Sequence, residues 1–152
     1  MAFRKTMGVT ITVGNTSYHS ITNFNLAIQN TDYLGDPVLD NGNMQFVPGR
    51  SGPLDMNDVV FGGPTFQYRK ILILFGGIDD PDDWDERIST YRNLFHGKIV
   101  KLTFDNDTTH YWTGRATIEA FNRNRALGTF EFHINYADPY KYLISNNSRE
   151  GL

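Results

Sequence analysis

Six acidic side chains crowd residues 79–86, namely Asp79, Asp80, Asp82, Asp83, Asp85 and Glu86, a density that would suit a divalent cation or general acid and base chemistry. A helix start accounts for them without a ligand. Asp80-Pro81 has the form of an N-cap followed by proline at the first helical position, and carboxylates are stabilised at the positive end of a helix dipole. Asp105 and Asp107 begin like a calcium loop. His110 then stands where that loop needs glycine, and Ala116 where it needs a bidentate glutamate. The four histidines, His19, His96, His110 and His133, fall on separate elements, with no His-x-x-x-His pair and no cysteine nucleophile. A Ser-His-Asp triad can assemble in space from any chain order, yet no Gly-x-Ser-x-Gly elbow and no phosphate-binding glycine loop occurs. The expectation is therefore no catalytic residues, no cofactor and no metal. Tyr111-Trp112 and Trp84 suit a sugar-binding aromatic face or simple core packing; if the strand is regular, Tyr111 and Trp112 point to opposite faces.

The elements that must position these residues are mostly strands. Val9 to Val13, the tight turn Gly14-Asn15 and Thr16 to Ile21 form a hairpin pattern, and Phe24, Leu26 and Ile28 share one face of a third strand. Asn41-Gly42 predicts a second hairpin joining Val38-Leu39 to Met44-Gln45-Phe46. Ile71 to Phe75 is apolar at every position, as in a central strand. The period then changes. Trp84, Ile88, Tyr91 and Phe95 recur at helical spacing, predicting one helix over about Pro81 to His96 that Gly97 closes. Val100, Leu102 and Phe104 alternate, Asp105-Asn106-Asp107 turns the chain, and Tyr111 to Ile118 runs back. After the connection Arg123 to Gly128 comes a strand with Phe130, Phe132, Ile134 and Tyr136 on one face, and Ser145 to Leu152 has the composition of a flexible polar tail.

At 152 residues the chain suits one domain, residues 1–144, which at this size buries roughly 70% of its unfolded surface. The formal charge of −3 and the lack of a Lys/Arg block argue against a protein that grips nucleic-acid phosphates. No stretch approaches the ~18 apolar residues of a membrane span. These features suggest a soluble chain made in the cytoplasm.

The segment Val47-Pro48-Gly49-Arg50-Ser51-Gly52-Pro53-Leu54-Asp55 is a rigid corner between two strands, because Pro48 fixes its φ and Gly49 and Gly52 admit positive φ. Beyond it, Val59, Val60 and Phe61 form an apolar triplet inside a Gly/Pro/Asp-rich stretch, either a surface excursion or an arm lying on a neighbouring subunit. Taken in order, that corner, the strand Tyr68 to Phe75, the capped helix, the run Leu94 to Phe104 and the closing Asp138-Pro139-Tyr140 resemble the N-terminal domain of the distal tail (Dit) proteins of long-tailed bacteriophages. The resemblance spans roughly residues 8 to 143.

The resemblance implies a mainly β fold: a β-sandwich related to phage tail-tube proteins, with one flanking α-helix and a long loop or hairpin arm. It implies a non-enzymatic virion protein at the tail tip. Such a protein forms a homo-hexameric ring that joins the tail tube to a tip hub or tail-associated lysin, sits near receptor-binding proteins, and lets DNA pass in transit. Arg50, Val59, Val60 and Phe61 become the expected interface residues. Many Dit proteins carry a further C-terminal carbohydrate-binding domain; the resemblance covers the N-terminal domain, and the expectation is that the further domain is absent or lies beyond the residues given. The alternatives are a tail-tube subunit, a monomeric carbohydrate-binding β-sandwich, and a hydrolase using the acidic cluster.

Overall fold

The structure, a computed structural model, describes residues 8–39, 44–45, 48–49, 51–52, 54–55, 65–77, 84–123 and 128–152. Two antiparallel sheets face each other across an apolar core. The first has six strands: β1 (Val9–Val13), β2 (Thr16–His19), β8 (Ile99–Phe104), β9 (His110–Arg115), β12 (Lys141–Leu143) and β13 (Arg149–Gly151), ordered β13-β12-β9-β8-β1-β2. The second runs β10-β11-β7-β3, built from β3 (Leu26–Ile28), β7 (Phe66–Gly77), β10 (Thr117–Arg123) and β11 (Gly128–Ala137), with β4 (Leu34–Leu39) also paired to β7. The fold is thus the expected β-sandwich. A separate ribbon, β5 (Met44–Gln45) with β6 (Leu54–Asp55), flanks the corner, where Gly49 and Gly52 adopt φ of 80° and 81°. At those positions a side chain would be strained.

Alternation builds the core. Ile71, Ile73 and Phe75 of β7, Phe130, Phe132 and Ile134 of β11, and Val100, Leu102 and Phe104 of β8 are all buried, each worth roughly 1.5–3 kcal/mol of transfer free energy. The long helix α2 spans Trp84–Phe95, inside the predicted range, and the expected cap Asp80-Pro81 lies outside the described residues. Asp85 and Glu86 occupy its first turn, Arg92 its last, and Gly97 at φ 79° ends it. Ile88, Tyr91 and Phe95 are its buried face. Tyr91 stacks on Phe130 of one sheet, while Phe95 meets both Phe132 and Tyr18 of the other sheet's edge strand β2. The helix therefore closes one flank of the sandwich.

Several expectations fail. Ile21 and Phe24 belong to a short helix α1 (Ser20–Phe24), not to strands: His19 caps it by accepting from the Thr22 amide, and Asn25 ends it at φ 54°. The strands that Asn41-Gly42 was to join pair elsewhere, β4 with β7 and β5 with β6, because the long edge of β7 offers β4 a ladder. Tyr111 to Ile118 is two strands. At Ala116 the chain leaves the first sheet and enters the second, its N–H and C=O held by Lys98 O and Gly97 N at 2.8 and 2.7 Å. Gly114 permits that crossing, since a Cβ there would collide with Ile134 and come within 3.0 Å of Ala137 Cα. Residues 145–152 are not a frayed tail: Arg149–Gly151 pairs with β12, and Leu143 N donates to Ser148 O at 2.9 Å.

Candidate assembly surface

Tyr136 was expected on one face of β11 with Phe130, Phe132 and Ile134; those three are buried, whereas Tyr136 is 76% exposed. The cause is a register shift between Ile134 and Ala137, which turns Ala137 inward and Tyr136 outward. Its ring meets Tyr68 of β7 edge to face, with centroids 5.0 Å apart. Nearby, Phe66 packs edge-on against Tyr140, and the Arg149 guanidinium lies 4.2 Å over the Tyr140 ring. Phe66, Tyr136, Tyr140 and Arg149 border a shallow groove of about 600 Å³ that also takes in Ile99, which is 58% exposed. Exposed tyrosine, aliphatic and arginine groups in one patch have the composition of a protein contact surface.

The patch rests on a firm floor. Asp138 accepts from the Tyr140 amide at 3.0 Å and from the Tyr142 hydroxyl at 2.5 Å, fixing the turn that follows β11. That bond pushes the Tyr142 hydroxyl up to about 12, with burial adding to the shift. Opposite Tyr142, Tyr111 stacks at 5.6 Å, lies under Lys101 Nζ at 4.8 Å and donates to Asn147 Oδ1 at 3.0 Å. Trp112 points the other way into the core, so the expected opposition of Tyr111 and Trp112 holds, with both residues buried.

Three of the histidines tie the fold together. His19 Nδ1 accepts from Thr22 N, which leaves its Nε2 to donate to Asp105, 2.9 Å from both carboxylate oxygens. Both ring nitrogens are thereby engaged in holding α1 to the β8–β9 turn. His96 Nδ1 accepts from Ile118 N at 2.9 Å. His110 pairs with Asp107 at 3.1 Å, and with Thr109 it draws the Asp107 carboxyl below the usual carboxylate range. His133 lies 3.6 Å from Glu119 and Glu131, beyond hydrogen-bond reach. Among the described residues no three His, Cys, Asp or Glu side chains converge as a metal site. No helix there is long and apolar enough to cross a membrane.

Arg50, Val59, Val60 and Phe61, the expected interface residues, lie outside the described residues, as do Asp79 to Asp83. Sequence reasoning missed Tyr136, whose type and alternation signal burial and whose exposure depends on the bulge. It also passed over Arg69, which carried a usable signal: it stands two residues before Ile71 in the period that leads inward through Ile73 and Phe75.

No family model and no curated protein sequence matches the chain. Among solved structures it is similar to the crystal structure of the SPP1 Dit (gp 19.1) protein, described as a paradigm of the hub adsorption apparatus in phages infecting Gram-positive bacteria. The match has a TM-score of 0.58 at 17% identity and covers 89% of this chain. It covers 52% of that protein, so the chain spans about half of its length. The likeness is one of fold.

Proposed function

We propose that the chain is a structural, non-enzymatic protein of a long-tailed phage virion, a hexameric ring hub at the distal tail that joins the tail tube to the tip. The observation that carries this is the sandwich shared with the SPP1 hub protein over 89% of the chain. Charge supports it. Six copies at −3 each would carry about −18, and an acidic channel repels phosphates, which favours DNA passage over adhesion. Subunit contacts would come from the outer strands β2, β13 and β10, from the Tyr136 patch, and from Arg50, Val59, Val60 and Phe61. The tail-tube protein would dock on one face of the ring and a tip hub or tail-associated lysin on the other, with receptor-binding proteins at its margin.

Antibody labelling of intact virions tests the location. Label at the distal tip alone is expected, whereas label along the whole tail would assign the chain to the tube. Virions lacking the protein should also lack a tip, and normal infectious tips without it would sink the proposal. A second reading, a monomeric carbohydrate-binding module, is favoured by the exposed Tyr136 ring beside Tyr68. Light scattering separates the two: a particle six times the 17.4 kDa chain mass supports the ring, and a monomer that binds glycans supports the module.

A further inference from the structure

Arg69 is a charged residue at an inward-facing position of β7, only 7% exposed, at the end of the row formed by Ile71, Ile73 and Phe75. Its guanidinium carbon lies 4.6 Å from the Trp112 ring centroid, so one face of the cation is covered. Its Nε is buried, and among the described residues no acceptor reaches it. Arginine stays ionised under any ordinary condition, and a buried donor of a charged group without a partner is costly enough to call for one. The side chain lines a cavity of about 230 Å³, walled by Tyr33, Phe104 and Trp112 and with Lys141 among its lining residues. Burial lowers the Arg69 pKa and the field of Asp36 partly restores it, so the cation sits in a poorly solvated place.

We propose that this cavity is a binding site for a carboxylate, held in the plane of the Arg69 guanidinium with Lys141 as a second cation. Trp112 covers one face of the guanidinium, and the edge of its fork matches the two coplanar oxygens of a carboxylate. Charge disfavours a dianion, because Asp36 and Asp107, the latter held by His110 and Thr109, already balance Arg69 and Lys141; a monoanion would be held by the fit of the fork and not by surplus charge. The aromatic walls suit a planar or apolar body behind the carboxylate. That carboxylate would come either from an acidic side chain of a neighbouring copy or from a free small acid.

The test follows the Arg69 Nε–H and Trp112 indole resonances of the full chain during titration with benzoate, acetate and inorganic phosphate. Benzoate should move both saturably, acetate less, and phosphate little. Lys141→Gln should weaken benzoate binding several-fold, and Arg69→Gln should weaken it about tenfold or more. Should Arg69→Gln fail to fold, the wild-type resonances and Lys141→Gln still decide. An Nε–H signal unmoved by benzoate, or moved equally by phosphate, overturns the proposal. Dilution without ligand identifies the source: a concentration-dependent shift that benzoate competes away points to a neighbouring copy, and a constant signal that benzoate moves points to a free acid.

Discussion

The side-chain amide of Asn30 donates from Nδ2 to the carbonyl of Leu72 at 2.8 Å, and its Oδ1 accepts from the Leu74 amide at 3.0 Å. An asparagine thus stands in for a strand residue between the pairing of β3 and that of β4 along one edge of β7. Gln29 N to Leu74 O and Leu72 N to Tyr33 O complete the junction. Asn30→Ala leaves a donor and an acceptor of a half-buried central strand unpaired, and should cost about 1–3 kcal/mol by denaturant unfolding. Asn30→Asp should cost at least as much near pH 7, since a carboxylate cannot donate to Leu72 O, and should recover when acidified. An Asn30→Ala protein with an unchanged midpoint would show that the ladder closes without this amide.

Ile88, 4% exposed on the inner face of α2, carries the helix onto the sandwich. Ile88→Asp buries an uncompensated carboxylate and should cost several kcal/mol, a large share of the roughly 5–15 kcal/mol typical of a domain. Ser89→Asp on the exposed side serves as the control and should stay within about 0.5 kcal/mol of wild type. Equal melting temperatures for the two variants would contradict the packing of this helix.

What local pattern governs was legible in the sequence, and what pairing partners decide was not. The Val9–Val13 hairpin with Gly14 at φ 61°, the central β7 and the buried face of α2 follow from turn chemistry and periodicity within single segments. Asn41-Gly42 is an equally strong local signal, but β4 found its partner in β7, many residues away. Arg149-Glu150-Gly151 has little strand propensity, and it extends a sheet because β12 presents an edge to it. The surfaces were harder still. Tyr136 is exposed because β11 and β7 shift register, a property of two strands together, whereas Arg69 could have been found by continuing the inward period of Ile71 and Ile73 by one step.

The Tyr142 to Asp138 bond makes alkaline stability diagnostic. The native hydroxyl is pushed up to about 12 from its ordinary value of 10.0, so native protein keeps a proton that unfolded chain releases first. The contribution is fully present below pH 10 and is lost as the pH rises towards about 12. Stability should therefore fall over that interval more steeply in wild type than in Tyr142→Phe, whose curve lacks this group. Parallel curves for the two proteins would mean that the bond to Asp138 contributes nothing in solution.

Tyr136 separates a contact surface from a folding determinant. The ring is 76% exposed, and its one aromatic partner among the described residues is Tyr68, so Tyr136→Glu should cost the isolated chain about 1 kcal/mol or less. A buried tyrosine at the centre of a contact commonly contributes 2 kcal/mol or more, and a carboxylate placed there would meet a desolvated partner surface. In the proposed ring every subunit would carry the lesion at every interface, so even about 2 kcal/mol per contact is multiplied and should leave monomer at concentrations where wild type is proposed to assemble. The expected pair of results is a nearly unchanged melting temperature and a lost high-mass species. If Tyr136→Glu assembles as readily as wild type, the patch faces outward from the ring, and the contacts must come from the strand edges and the segment around Val59 to Phe61 instead.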